Sequence, residues 1–343
     1  MTADKMNGLE RCAAVLKGET PDRVPFFPIL MFFASDRAGI RYREYATDHE
    51  ALVSAQLHMF ENYRVDAVTV CSDAFRLCAD LGGDMVFPEN QTPYCANPIV
   101  KNESDLAALK RPDPERKGSR MYDRIAAAEK ISRAIGERAM VFGWVEMPFA
   151  EACNLCGVAN FMLMLTDAPE LAHGILEFIT DIEIEFARAQ LAAGAHAIGC
   201  GDAAASMISI PHFREFALPY ERRVTEAIRA SGGYSKLHMC GNSSHILDDL
   251  ATNGADMFNV DHMVDLKRAA EAYSKRGAAF KGNVNPVTDL MSATPEHARK
   301  AAASCVEISR GRRFMLGAGC EIPAATPDEV FFAFSQAVYG IAE

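Results

Sequence analysis

Residues 196–240 read HAIGCGDAAASMISIPHFREFALPYERRVTEAIRASGGYSKLHMC. A β-rich run at 196–200 gives way to Gly201-Asp202 and then to a helical stretch at 211–230. A second β-rich run, 234–239, leads into His238-Met-Cys240. Outward from this unit, the order strand, loop, helix recurs along the chain. Further β-rich runs at 24–30, 66–71, 139–145, 255–260, 278–281 and 313–316 bring the total to eight. Helical periodicity occupies 50–63, 119–135, 169–193, 245–252, 266–275, 295–310 and 327–341. Several of these helices open on Pro behind a capping residue, as in Thr294-Pro295 and Thr326-Pro327. Eight such alternations predict an α/β fold, a single (β/α)8 TIM barrel forming one domain over 1–343. A helical extension precedes the first strand. The stretch 79–114, rich in Pro, Asn and Asp, reads as an insertion after the second strand, of the kind that forms lids. A doubly wound sheet is the alternative, but no Gly-x-Gly-x-x-Gly follows an early strand.

Composition narrows the function classes. The chain has 343 residues, 49% of them hydrophobic and 24% charged, as in an ordinary globular protein. Its longest apolar run, 24–34, contains Pro25 and Pro28 and falls short of the roughly 18 residues a membrane span needs. A net charge of −11 disfavours nucleic acid as a partner. The N-terminal MTADKMNGLERC has no apolar core behind a basic start, and the ten cysteines are scattered. The expected compartment is therefore the reducing cytoplasm.

In a barrel of this type the chemistry sits at the C-terminal ends of the strands. Those ends carry Ser72-Asp73, Glu146, Gly201-Asp202, His238-Met-Cys240, Asn259 with Asp261-His262, Gly282-Asn283 and Gly319-Cys320-Glu321. The sharpest constellation is His238, Cys240 and Cys320. Residues i and i+2 of an extended segment share a face, so His238 and Cys240 point together toward the mouth. Cys320 follows a Gly-rich turn that lets backbone pass close to a ligand. One imidazole and two thiolates suit Zn²⁺, and three protein ligands with one exchangeable position is the catalytic pattern. Glu146 is a candidate for the fourth position at rest. A substrate thiol on such a zinc would be ionised at neutral pH. A zinc-bound imidazole needs a partner for its other nitrogen, and Asp202, Asn259 and Asp261 are the candidates. Asp73, Glu146, Asp202 and Asn283 are taken as catalytic candidates. The competing reading of the metal triad is small buried residues, since Cys is among the most buried types.

Other signals read as structural. Cys153 and Cys156 form a C-x-x-C placed as two thiols on a helix face. His245 and His262 lie near helix starts as surface or capping residues, and His58 lies within a helix. Phe161-Met-Leu-Met-Leu165 reads as core packing.

These residues carry a resemblance that runs nearly end to end. The chain resembles the uroporphyrinogen decarboxylase superfamily, and within it the zinc-dependent cobamide methyltransferases. Gly18-Glu-Thr-Pro-Asp-Arg-Val-Pro25, Leu106-Ala-Ala-Leu-Lys-Arg-Pro-Asp-Pro114 and Ile210-Pro-His-Phe-Arg-Glu-Phe-Ala-Leu-Pro-Tyr220 are similar to superfamily segments. Leu237-His-Met-Cys-Gly241, Gly282-Asn-Val-Asn-Pro286 and Gly319-Cys-Glu-Ile-Pro323 resemble the methyltransferase branch. The resemblance implies zinc on His238, Cys240 and Cys320. It also implies methyl transfer between a corrinoid, supplied by a partner protein, and a zinc-bound thiol of the coenzyme M kind or another acceptor. The match to uroporphyrinogen decarboxylase itself is poorer. That enzyme's Arg-Gln-Ala-Gly-Arg stretch is here Asp36-Arg-Ala-Gly-Ile40, which leaves one arginine for a substrate with eight carboxylates. Asp73 resembles the decarboxylase's essential aspartate, and here it reads as a superfamily remnant or a polar contact on the corrinoid side. Two alternatives remain: a metal-free porphyrinogen decarboxylase, and a non-catalytic corrinoid or porphyrin binder.

Overall fold

The structure is a computed structural model, and it describes residues 4–339. Strands β1 (Ala67–Thr69), β4 (Met140–Glu146), β5 (Ala197–Gly201), β6 (Tyr234–His238), β7 (Met257–Asn259), β8 (Ala279–Val284) and β9 (Phe314–Ala318) form one sheet in that order. Every neighbouring pair is parallel. Helices cover the outside, as in the expected α/β barrel. Strands β2 (Met85–Val86) and β3 (Tyr94–Cys95) pair antiparallel in a small hairpin within the insertion after β1.

One expected strand takes a different form. Residues 24–30 lie between β1 and β9 and close the barrel, but only through isolated bridges from Phe26 to Leu316 and from Ile29 to Glu321. Pro25 and Pro28 have no N–H to give, so a continuous ladder cannot form. The closure rests on Phe27 N donating to Leu316 O at 2.8 Å, Leu316 N to Pro25 O at 2.8 Å and Asp66 N to Phe26 O at 2.9 Å.

The N-terminal helix Gly8–Lys17 plugs the lower end. Asn7 caps it reciprocally with Glu10, and Gly18 ends it in the left-handed conformation at φ 80°. Its Cys12, Val15 and Leu16 pack onto the inward residues Phe27, Met140, Phe142, Met257 and Met315. Above that layer the interior becomes polar, because period-two alternation continues inward through Trp144 and Glu146 on β4 and through Lys236 and His238 on β6. Strand β5 makes room for them. A Cβ on Gly201 would meet Glu146 Oε2 at 2.3 Å, and one on Gly199 would meet the Trp144 ring at 2.3 Å. The large inward side chains of β4 thus require small ones beside them on β5.

Of the remaining helices, the one expected at 245–252 contracts to Leu247–Leu250. The last is described as Asp328–Tyr339, so the expected end at 340–341 lies outside the described residues. Among the described residues no single helix is long and apolar enough to cross a membrane.

Candidate metal centre

His238 ends β6, Cys240 follows two residues later, and Cys320 lies two residues beyond β9. Their donor atoms converge. His238 Nε2 lies 3.0 Å from Cys240 Sγ and 3.5 Å from Cys320 Sγ, and the two sulfurs are 3.7 Å apart. Among the described residues, His238, Cys240 and Cys320 form one of two groups whose ligand atoms lie mutually within 4.8 Å. The other, Asp48, His49 and Asp123, lies on the outside around the start of the helix His49–Tyr63.

The fit to zinc follows from bond lengths. Tetrahedral zinc with typical Zn–S and Zn–N bonds places two sulfurs about 3.8 Å apart and nitrogen about 3.5 Å from sulfur. The S···S distance and one N···S distance match, and the second N···S distance is shorter. Without a cation the two thiols hold one proton unequally. The hydrogen bond from Cys240, together with His238, overcomes burial and draws the Cys320 thiol below its ordinary value. The same bond and burial push Cys240 up. The cluster favours a thiolate at Cys320, which is the ligating form.

The backbone around Cys320 is braced from inside the barrel. Asn259 Nδ2 donates to Gly319 O at 3.2 Å, and Lys281 Nζ donates to Asn259 Oδ1 at 2.6 Å. Gly319 must be glycine, since a Cβ there would meet His262 N at 2.3 Å. Lys236, fully buried, lies over the rings of Phe27, Phe142 and Trp144, and burial lowers it to about 8. Burial lowers Lys281 as well. These two lysines did not figure among the sequence candidates. The signal was present, since Lys236 precedes His238 by two residues and Lys281 precedes Asn283 by two.

The other candidates are not brought into the cluster. Glu146 reaches the mouth end of β4, but its Oε1 accepts from Arg76 Nη2 at 2.8 Å and from Trp144 Nε1 at 2.9 Å. Burial outweighs both partners and raises it to about 7. Asp73 is enclosed. Arg120 donates to both of its oxygens at 2.9 Å, Ser72 Oγ to Oδ2 at 2.7 Å and Phe75 N to Oδ1 at 3.0 Å. Burial alone would raise that carboxyl, but Arg120 holds it well below the usual range. Asn283 turns outward, donating to Asp261 O at 3.1 Å and Val264 O at 2.8 Å, and so fixes the loop after β7.

Asp202 is fully buried and gives its backbone N–H to His238 O at 2.9 Å, while its Oδ2 has no partner. His238 Nδ1 is also buried without a partner. The expected hydrogen bond from that nitrogen to Asp202, Asn259 or Asp261 is not formed. Asn259 is occupied by Gly319 and Lys281, and Asp261 Oδ1 accepts from Met263 N at 2.9 Å and lies 3.1 Å from His262 Nδ1.

Several structural readings hold. Cys153 and Cys156 lie buried on the helix Pro148–Cys156, where burial pushes both thiols up. His245 Nε2 contacts Ile208 O at 2.8 Å and ties two rim loops together.

Residues 7–341 match the family described as Uroporphyrinogen decarboxylase (URO-D). The chain belongs to the uroporphyrinogen decarboxylase family. Among its relatives, the methylcobamide:CoM methyltransferase MtbA of Methanosarcina acetivorans is 27% identical over 329 residues, covering 93% of each chain. The uroporphyrinogen decarboxylase of Prochlorococcus marinus strain MIT 9211 is 24% identical, over 87% of this chain and 86% of that one. Among solved structures, a methyltransferase from Methanosarcina mazei superposes with a TM-score of 0.88 at 24% identity. The two cover 97% and 98% of their chains, so the whole barrel is shared. Both activities named among the relatives belong to this family, and the residues at the mouth must separate them.

Proposed function

We propose that this URO-D family enzyme is a methyltransferase. In this reading it moves a methyl group between a corrinoid carried by a partner protein and a thiol acceptor, and it works as one barrel domain over 1–343. The observation that carries the reading is the convergence of His238 Nε2, Cys240 Sγ and Cys320 Sγ at separations suited to zinc. Those three residues would hold the ion. Zinc bound there supplies Lewis acidity that keeps an incoming thiol ionised at neutral pH.

The chain's own residues do the rest. Cys320 and Cys240 present two sulfurs 3.7 Å apart beside His238, three donors that would leave a fourth position on the ion for the acceptor. Asn259 and Lys281 hold the turn that delivers Cys320. Below the cluster, Lys236 and Lys281 lie buried against the rings of Phe27, Phe142 and Trp144. A methylcorrinoid presented by the partner would supply the methyl group, and the thiolate held beside His238, Cys240 and Cys320 would accept it, the carbon–cobalt bonding pair staying with cobalt. The reverse direction uses the same arrangement. The relatives named as methylcobamide:CoM methyltransferases support a coenzyme M-like thiol as acceptor. Ten free cysteines suit a reducing cytoplasm.

Porphyrinogen decarboxylation is less well supported. Arg37, the one arginine left in the relevant stretch, is occupied by Asp328 at 2.7 Å and by two backbone carbonyls. Asp73 is occupied by Arg120.

The test is methylcobalamin as donor with coenzyme M as acceptor, followed as the cobalt product by absorbance and the methylated thiol by mass spectrometry. Turnover that disappears in Cys320→Ser is the expected result. Absence of methyl transfer with any thiol, together with carbon dioxide release from a porphyrinogen, would overturn the reading.

A further inference from the structure

Of the ten free cysteines, seven are buried. The three that are partly exposed are Cys95, Cys240 and Cys320, and the last two belong to the cluster at the mouth. Cys95 has a different neighbour. It ends β3 of the insertion hairpin, while Cys78, fully buried, lies on the short helix Arg76–Asp80.

Gly83 brings the two together. It follows that helix and donates its N–H to Cys78 O at 2.9 Å, and Ala96 N donates to Asp84 O at 2.8 Å, which lays Cys95 beside the same turn. A Cβ on Gly83 would meet Cys78 Sγ at 2.7 Å and Cys95 Sγ at 3.0 Å. Both sulfurs therefore lie within 3.0 Å of one point, and glycine at 83 keeps that point free of a side chain. Burial, and after it a hydrogen bond with Cys95, push the Cys78 thiol up, so Cys78 holds the proton between the two sulfurs. A partly exposed thiol beside a buried one is the arrangement of an attacking and a resolving cysteine.

We propose that Cys95 is a site of thiol–disulfide exchange and that Cys78 resolves it into an internal disulfide. The co-reactant is a small oxidised thiol, RSSR. The Cys95 sulfur, as thiolate, attacks one sulfur of RSSR, whose S–S bond breaks to release RS⁻. The Cys78 sulfur then attacks the Cys95 sulfur of the mixed disulfide and releases the second RS⁻. Each leaving thiolate takes up the proton that its attacking cysteine gave up. Two protein thiols are oxidised, and one RSSR is reduced to two RSH. The new bond fastens the hairpin to a helix that organises the mouth. Arg76 on that helix donates to Glu146 at 2.8 Å, and Asp80 accepts from Arg120 N at 2.8 Å and Met121 N at 2.9 Å. The site shares no residue with the metal cluster and does not depend on the methyl-transfer reading.

The test treats the full chain with oxidised glutathione without oxygen, blocks free thiols at intervals and maps the cysteine peptides by mass spectrometry. The expected result is a glutathione adduct on Cys95 that rises first and decays as a Cys78–Cys95 linked peptide accumulates. In Cys78→Ala the adduct should persist, and in Cys95→Ser neither species should form. Cleavage at the exposed hairpin tip, 89–92, should slow about tenfold in the linked protein. Any of four results would overturn the proposal: no reaction at Cys95, an adduct that never resolves in wild type, Cys95 bonded to a cysteine other than Cys78, or equal cleavage of the linked and free proteins. Should Cys78→Ala not fold, the wild-type time course decides.

Discussion

Two polar clusters mark the two ends of this barrel, and they are built on opposite principles. At the lower end Asp66, 3% exposed, is surrounded. It takes Arg11 Nη1 and Arg23 Nη2 on Oδ1, and Arg23 Nη1 and Phe26 N on Oδ2, the last two at 2.7 Å. Arg11 is itself held by Asp22 at 2.7 Å. Donors and acceptors there satisfy one another, which is how a buried ion network contributes to a fold. At the upper end the donor atoms of His238, Cys240 and Cys320 converge to within 3.7 Å of one another, and His238 Nδ1 is buried without a partner. A closed cluster locks the chain, while the upper one is, in the proposed reading, a place for a metal ion.

The contrast can be broken most sharply at the open end. His238→Ala or Cys240→Ser should reduce zinc affinity by at least about a hundredfold, while the metal-free protein melts within a few degrees of wild type. Competition with a chromophoric chelator and a thermal melt of the stripped protein give the two numbers. Equal losses in both would mean that the cluster is structural. The closed end should behave in the opposite way. Asp66→Asn leaves Arg11 and Arg23 short of a buried counter-charge and should cost about 3–5 kcal/mol by denaturant unfolding. Zinc content per folded chain should be unchanged; a variant as stable as wild type would contradict the contrast.

A smaller effect sharpens it. Asn259→Ala removes the brace on Gly319 without touching a ligand and should weaken zinc binding about tenfold. Unaltered affinity would mean that the Gly317–Cys320 turn holds itself. The smallest effect concerns Glu146. Burial raises its folded value to about 7, above the unfolded value. Between pH 4.5 and 7 the folded chain therefore keeps a proton there that the unfolded chain has lost. Its contribution to stability is present below that window and falls as pH rises through it. Glu146→Gln should flatten the fall, as denaturant midpoints across that range would show, and an unchanged slope would place the titration elsewhere.

What the sequence conveyed, and what it withheld, follows the range of the interactions. Strand and helix periods are local, so seven of the eight expected strands stand where the pattern put them, and the eighth lost its ladder to Pro25 and Pro28. The convergence of His238, Cys240 and Cys320 was legible because two rules suffice for it, the shared face of residues i and i+2 and the placement of strand ends at one mouth. Glu146 and Asp73 satisfy the same rules, yet they are captured by Arg76 and Arg120, arginines 70 and 47 residues away. No periodicity reports which long side chain from a neighbouring helix will arrive first. Asn283 was misread for a related reason, since its partners Asp261 and Val264 belong to the preceding loop.

The most direct measurement is the zinc content of protein purified without added metal, wild type beside Cys320→Ser. The predicted result is about one zinc per wild-type chain, lost in the variant. A wild-type protein that holds no zinc even after reconstitution under reducing conditions would contradict a metal centre built from His238, Cys240 and Cys320.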